Sequence, residues 1–218
     1  MIDRYILPVQ ARLLRPIAAS LVRLGVSADA ITLIGFGIGL LAAPLIATGM
    51  FEAALAAILA NRLLDGLDGA VARMTCPTDR GAFIDIAFDF FFYATVPLGF
   101  VLLDPVRNGI AATALTVAFV GTGSSFLAFA AIAAKRGLTA VAYPDKGLYF
   151  LSGLAEGAET IIVLVSMCMW PVYFPQIAIA FGAVCTFTAV VRWIQGWIVF
   201  GKSSPICRRK AVVGGRRT

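Results

Sequence analysis

Histidine is absent from the 218-residue chain. That absence excludes imidazole as a metal ligand and leaves any cysteine nucleophile without its usual base. Cysteine is scarce too: Cys76, Cys168, Cys185 and Cys207 show neither a CxxC pair nor metal-ligand spacing. Three of them lie in or beside apolar segments, where thiols are inert. Charge is the third scarcity, at 14% Asp, Glu, Lys and Arg against 60% hydrophobic residues and a mean hydropathy of +0.91. Such a composition overrides the reading of one or two soluble domains and makes the chain a multi-span membrane protein. The net charge of +6 does not point to nucleic acid, because the basic residues flank apolar segments instead of sharing a soluble face.

Against this background residues 65–89 hold Asp65, Asp68, Arg73, Asp79, Arg80, Asp85 and Asp89. A carboxylate in a membrane span costs a few kcal/mol at least, roughly 3, and so marks a site or a pathway. At about 100° per residue, Asp65, Asp68, Gly69, Ala72 and Arg73 share roughly one third of a helix circumference. Asp85 and Asp89 form an i, i+4 pair on the next helix. The connection between the two, 74–80, carries Thr75, Pro77, Thr78 and Asp79 and reads as a tight turn between antiparallel helices. Asp68 lies about as far before it as Asp85 lies after it, so all four carboxylates are predicted to face one pocket.

Four anions in a low-dielectric pocket require protons or a divalent cation. Oxygen donors without His or thiolate favour Mg²⁺, Mn²⁺ or Ca²⁺. A two-metal carboxylate site suits phosphoryl chemistry, and Gly69 and Gly81 let a ligand approach the backbone. Two other readings use the same residues: hydrogen-bonding groups that hold helices together, and a cation or solute transporter.

The pattern Asp65-x-x-Asp68-Gly69-x-x-Ala72-Arg73, then Gly81-x-x-x-Asp85-x-x-x-Asp89, resembles the signature of the CDP-alcohol phosphotransferase family, integral membrane enzymes of phospholipid synthesis. The connection of seven residues, 74–80, is shorter than is usual in that family. A catalytically idle lipid-binding relative is the reading that this shortening favours. The resemblance implies an all-α six-transmembrane-helix bundle. It implies attack of an alcohol on a CDP-linked lipid, CDP-diacylglycerol above all, with release of CMP. Asp65, Asp68, Asp85 and Asp89 would hold Mg²⁺ or Mn²⁺ in a two-metal site, and Asp89 would also take the acceptor's proton. Gly69, Ala72, Arg73 and Gly81 would shape the nucleotide site. Asp29 and Thr32 match the family's pattern at the start of the first span, where Ala28 replaces a proline, and would touch the cytidine nucleotide; an ordinary N-cap explains Asp29 equally well. A homodimer is also implied.

In chain order, residues 1–29 form an N-terminal segment of which 1–26 are not a signal peptide, since Arg4, Arg12, Arg15 and Arg23 interrupt any apolar core. Ile2, Ile6, Val9, Leu13, Ile17, Leu21 and Leu24 recur at helical spacing, which predicts an amphipathic helix in the membrane interface, bent or divided at Pro8 and Pro16; packing on another protein is the alternative. Residues 30–200 form the transmembrane domain, with spans at about 30–50, 51–73, 81–103, 108–134, 148–170 and 173–200. Thr122, Gly123, Ser124 and Ser125 predict close helix packing in the fourth. Residues 201–218 are a basic tail. Arg73, Arg80, Lys135, Arg136, Lys146 and the basic residues of both termini fall on one side, and Arg107 alone on the other. The positive-inside rule then places both termini and the motif turn in the cytoplasm of a bacterial-type inner membrane. Glu156, Glu159 and Arg192 are intramembrane ions. They either neutralise one another or form an acceptor pocket with Lys135, Arg136, Lys146 and Arg62.

Overall fold

The computed structural model describes residues 3–137 and 157–201, with side chains from residue 10 onward apart from residue 11. All regular structure among the described residues is helical. Helix α1 spans Asp3–Arg23. It runs through Pro8 and Pro16, so neither proline divides it as expected. It ends where Gly25 adopts φ 75° and the Val26 N–H reaches back to the Leu21 carbonyl while the Gly25 N–H bonds to Val22. That reversal satisfies the last carbonyls of α1 and is open to glycine because it has no Cβ. Ser27 then caps α2, Ala28–Leu40, its Oγ accepting from the Ala30 N–H at 3.3 Å. The cap is therefore Ser27, and Asp29 lies in the first turn of α2.

A short helix α3, Ala42–Ala47, continues α2 after a break at Leu41. Pro44 explains the break, having no N–H to give the Leu40 carbonyl. Helix α4 spans Phe51–Met74 and α5 spans Asp79–Leu103. The turn between them is only residues 75–78, because Thr78 caps α5 by accepting from the Gly81 N–H at 3.0 Å. Asp79 and Arg80 are thus helical, where the sequence suggested turn. Asp104 caps α6, Pro105–Lys135, which is followed by α7, Gly157–Met169, a 3-10 turn at Pro171–Tyr173, and α8, Phe174–Phe200.

Four stretches are long and apolar enough to cross a membrane: Ala28–Ala47, Asp79–Leu103, Pro105–Lys135 and Pro171–Phe200. Helix α4 is not among them, although long enough, because Arg62, Asp65 and Asp68 interrupt its apolar run. Helix α7 is apolar but has only 13 described residues, and the expected fifth span begins at 148–156, outside the described residues.

Packing is uneven. A large apolar core unites α3 to α8 around Phe92, Val96, Phe100, Leu115, Leu164 and Phe174, with the Phe100 and Phe174 rings stacked at 4.0 Å. A smaller cluster joins α1, α2 and α4 through Leu14, Ala18, Ile31, Leu67 and Val71. Leu13, Ile17 and Leu24 of the predicted stripe stay exposed, so α1 faces α4 with one edge and presents an apolar edge outward. The expected close packing at Thr122–Ser125 is present between α5 and α6, where a Cβ on Gly123 would come within 2.8 Å of the Phe90 ring. Only a bare glycine surface admits that ring.

Candidate active site

The site is built at the end of the bundle where α2 begins and α4 turns into α5. Helix α2 approaches α4 closely because Gly39 faces it: a Cβ there would lie 2.9 Å from Asn61 Cγ. Asn61 is buried and donates to the Gly35 carbonyl at 2.9 Å, tying α4 to α2. One turn on, Asp65 and Asp68 project toward α5, and Asp85 and Asp89 project back. The four carboxylates do share one pocket, lined also by Thr32, Gly35, Phe36, Asn61, Arg62 and Phe88. It has about 10 Å³ of free space, close to the volume that one water or small ion needs. Phe36 and Phe88 stack at 4.0 Å and close one wall.

The charges are met from within the chain. The Thr32 hydroxyl donates to Asp68 Oδ2 at 2.5 Å. Arg62 Nη2 donates to Asp89 Oδ1 at 2.6 Å, and its Nη1 lies 3.5 Å from Asp65 Oδ2. The Tyr93 hydroxyl donates to Asp89 Oδ2 at 3.3 Å. Asp65 and Asp85 line this pocket, and a hollow behind α1, from facing helices. Carboxylates that share so small a pocket call for a proton or a cation between them.

A larger hollow of about 510 Å³ opens beside this pocket. Asp29, Thr32, Gly69, Ala72, Arg73 and Gly81 all line it, together with Asp68 and Asp85. At its rim Arg80 Nε donates to Asp29 Oδ2 at 2.8 Å, joining the starts of α2 and α5. Cys76 lies on the same rim, exposed and unpaired with any other cysteine. A third hollow of about 370 Å³ lies between α1 and the carboxylates, lined by Gln10, Asp65, Gly66, Asp68, Gly69, Arg73 and Asp85.

Among the described residues no group of three acidic or cysteine side chains closes on one point as the side chains stand. The ligand sphere of a two-metal site is therefore not assembled in this arrangement, since Arg62 and Thr32 occupy carboxylate oxygens. The donor set itself fits a hard divalent cation: it is all oxygen, it comes from two facing helices, and Asp65 and Asp85 share the inner pocket.

Of the expected acceptor residues that are described, Lys135, Arg136, Glu159 and Arg192 do not line these hollows. Arg136 donates to the Phe200 carbonyl at 2.7 Å and lies over the Phe200 ring, joining the ends of α6 and α8. Arg192 is buried, donates to the Thr122 carbonyl at 3.2 Å and lies over Phe126. Lys146 and Glu156 lie outside the described residues. Arg62, by contrast, belongs to the carboxylate pocket. Sequence reasoning passed over Asn61 and Tyr93, although each had a signal: Asn61 lies four residues before Asp65, and Tyr93 four after Asp89. That spacing puts each on its motif face.

Comparison with known proteins gives a consistent result. The family model for CDP-alcohol phosphatidyltransferase matches residues 25–199. The chain is 48% identical over 198 residues to the inner membrane protein YnjF of Escherichia coli, covering 91% of this chain and 96% of that one. It is 29% identical over 196 residues to the archaetidylinositol phosphate synthase of Methanothermobacter thermautotrophicus, covering 87% and 91%. Its fold is similar to that of the crystal structure of Mycobacterium tuberculosis phosphatidylinositol phosphate synthase with CDP-DAG bound, with a TM-score of 0.63 at 24% identity over 85% of this chain and 94% of the other.

Proposed function

We infer the reaction from a plain premise: the chain belongs to the CDP-alcohol phosphatidyltransferase family. It is a membrane enzyme of that class, and we propose that its donor is CDP-diacylglycerol. An alcohol oxygen attacks the lipid-side phosphorus of the donor, a new phosphodiester forms, the pyrophosphate bond breaks, and CMP leaves with the bonding electrons. The observation that carries this reading is the junction of the carboxylate pocket with the 510 Å³ hollow, which share Thr32, Asp68 and Asp85.

Each residue then has a task. Asp89, in the inner pocket, accepts the proton of the attacking hydroxyl. Arg73, exposed at the hollow, pairs with donor phosphate, for which a guanidinium fork is suited. Gly69, Ala72 and Gly81 leave room for the nucleotide, and Asp29 and Thr32 at the start of α2 contact its cytidine part. Phe36 and Phe88 exclude water from the pocket wall. Asp65, Asp68 and Asp85, with Asp89 beside them, would hold Mg²⁺ or Mn²⁺, which supplies neutralisation of the charge that develops on the departing CMP. The similarity to an archaetidylinositol phosphate synthase and the basic residue Arg73 at the hollow bear on the acceptor. They favour a phosphorylated polyol.

Orientation belongs to the same proposal. In this reading Arg73, Arg80, Lys135 and Arg136 share one end of the bundle, which is supported by the order of the helices: α4 ends and α5 begins at the Arg73–Arg80 turn, and α6, which follows α5 directly at Asp104, ends at Lys135. Arg107 donates to the Val172 carbonyl at the other end. The basic end faces the cytoplasm, where CMP is released. The outward apolar edge of α1 lies in the membrane interface, six spans complete the bundle, and the chain forms a homodimer.

The deciding experiment incubates purified protein with CDP-diacylglycerol and Mg²⁺ or Mn²⁺ and follows CMP against glycerol phosphate, inositol phosphate, serine, choline and ethanolamine. Acceptor-dependent CMP release is expected, strongest with a phosphorylated alcohol. Protein that binds CDP lipid and metal but releases no CMP with any of them is an idle relative, and metal flux into proteoliposomes without donor binding is the mark of a transporter.

A further inference from the structure

The carboxylate pocket holds a cation of its own. Arg62 is largely withdrawn from solvent, its side chain 16% exposed, and every edge of its guanidinium is occupied. Nε donates to Asn61 Oδ1 at 2.9 Å. Nη2 meets Asp89 Oδ1 at 2.6 Å, and Nη1 faces both Asp65 and the Tyr93 hydroxyl, at 3.5 and 3.4 Å. The plane is packed against Phe92 and Tyr93, whose ring centroids lie 5.2 and 5.6 Å from its central carbon. Asn61 is itself anchored on the Gly35 carbonyl of α2. The arrangement forms a chain from the α2 backbone through Asn61 and Arg62 to one oxygen of Asp89, while Tyr93 takes the other.

Arg62 holds one oxygen of Asp89 and the Tyr93 hydroxyl holds the other, so the two donors together fix the plane of the carboxylate, with the charge-assisted bond from Arg62 the stronger of the two. A proton acceptor in phosphoryl transfer needs that plane fixed, because displacement of about 1 Å at the reacting group costs about 100-fold in rate. We propose that Arg62 is the positioning residue for Asp89: it holds the carboxylate toward the acceptor hydroxyl, and Asn61 and Tyr93 hold Arg62. The proposal rests on the reaction given above. It also explains how Asp89 differs from the other three carboxylates. Asp65, Asp68 and Asp85 line the hollow behind α1, whereas Asp89, of the three hollows described, lines the inner pocket alone.

The test uses the full chain in detergent or proteoliposomes and has an arm independent of turnover. In EDTA, melting temperatures are measured for wild type, R62Q, D89N and the double variant. The expected result is strong non-additivity: R62Q alone lowers the melting temperature, and D89N removes much of that loss by deleting the carboxylate left unpaired. Additive shifts overturn the contact. With metal and CDP-diacylglycerol, R62Q is expected to lower kcat about 100-fold, while Mn²⁺ affinity by electron paramagnetic resonance does not fall and donor KM stays within about threefold. R62K keeps the charge without the fork and recovers only part of kcat, and guanidinium added to R62Q recovers more than ammonium does. Unchanged kcat in R62Q, or equal loss of Mn²⁺ binding and kcat, overturns the positioning role. Absence of CMP release from wild type sinks the proposed reaction instead, and with it the catalytic purpose, while the melting cycle still decides whether Arg62 holds Asp89.

Discussion

The two ends of the bundle solve opposite problems. Around Phe100 and Phe174 the helices meet through fully buried rings and aliphatic groups. Around Asp65 to Asp89 they meet through carboxylates, a guanidinium, an amide and two hydroxyls. Packing at the first end is dispersion between close-fitting surfaces, which in a lipid solvent is the main apolar source of helix association. Contacts at the second end oppose like charges and hold only because the rest of the bundle forces α4 and α5 together. The apolar end therefore carries stability, and the acidic end, where we place the chemistry, is built at stability's expense.

That contrast breaks most sharply at Asp89. Asp89→Asn is expected to lower CMP release about 1,000-fold, as loss of a general base does, with donor and Mn²⁺ binding largely kept by titration. Loss of both bindings would place Asp89 with the metal ligands alone. Asp68→Asn, in contrast, should abolish Mn²⁺ binding; unaltered affinity would remove it from the ligand set.

Next in size is the apolar end. Phe100→Ala opens a cavity between α5 and α8 and should destabilise by about 3 kcal/mol, read as a lower melting temperature with turnover per folded molecule unchanged. Asp85→Asn should do the reverse in metal-free protein, raising the melting temperature because it relieves the crowding with Asp65 while ending activity. If Asp85→Asn destabilises as Phe100→Ala does, the division of labour is wrong.

A smaller effect tests the joint between the two ends. Gly39→Ala puts a methyl against Asn61 and the Phe92 ring, which come within 2.9 and 3.0 Å of it. Overpacking of this kind costs about 1–3 kcal/mol, and the expected readout is reduced kcat together with a reduced melting temperature. The smallest effect is at the rim: Arg80→Ala breaks an exposed pair with Asp29. Stability should change by less than about 1 kcal/mol, while the KM for the CDP lipid shifts and kcat holds.

Much of this site was legible because its spacing is local. Asp65, Asp68, Gly69 and Ala72 share a face by helical geometry alone, and Asp85 and Asp89 do so on α5. The convergence of four carboxylates followed once the turn was read as a hairpin. The exact length of that turn did not follow, since the Thr78 cap draws Asp79 and Arg80 into α5. The division of α2 from α3 could have been read from Pro44. Of the residues named for an acceptor pocket, Arg62 joins the carboxylates, and Arg192 donates to the Thr122 carbonyl of α6, which no local spacing foretold.

By itself, the sequence determined the membrane character, the helical class, the face on which each motif carboxylate sits and the hard-oxygen character of the donor set. These depend on composition and on neighbours within about one or two helical turns, where geometry has little freedom. Tertiary structure alone decided which cation meets which anion. Arg62 lies closer in sequence to Asp65 than to Asp89, yet it binds Asp89 more closely, at 2.6 against 3.5 Å. That choice is set by the register of α4 on α5, by Asn61 held on α2, and by the aromatic floor of Phe92 and Tyr93. A long side chain near several partners takes the one that its packed surroundings aim it toward, and that aim comes from three helices at once.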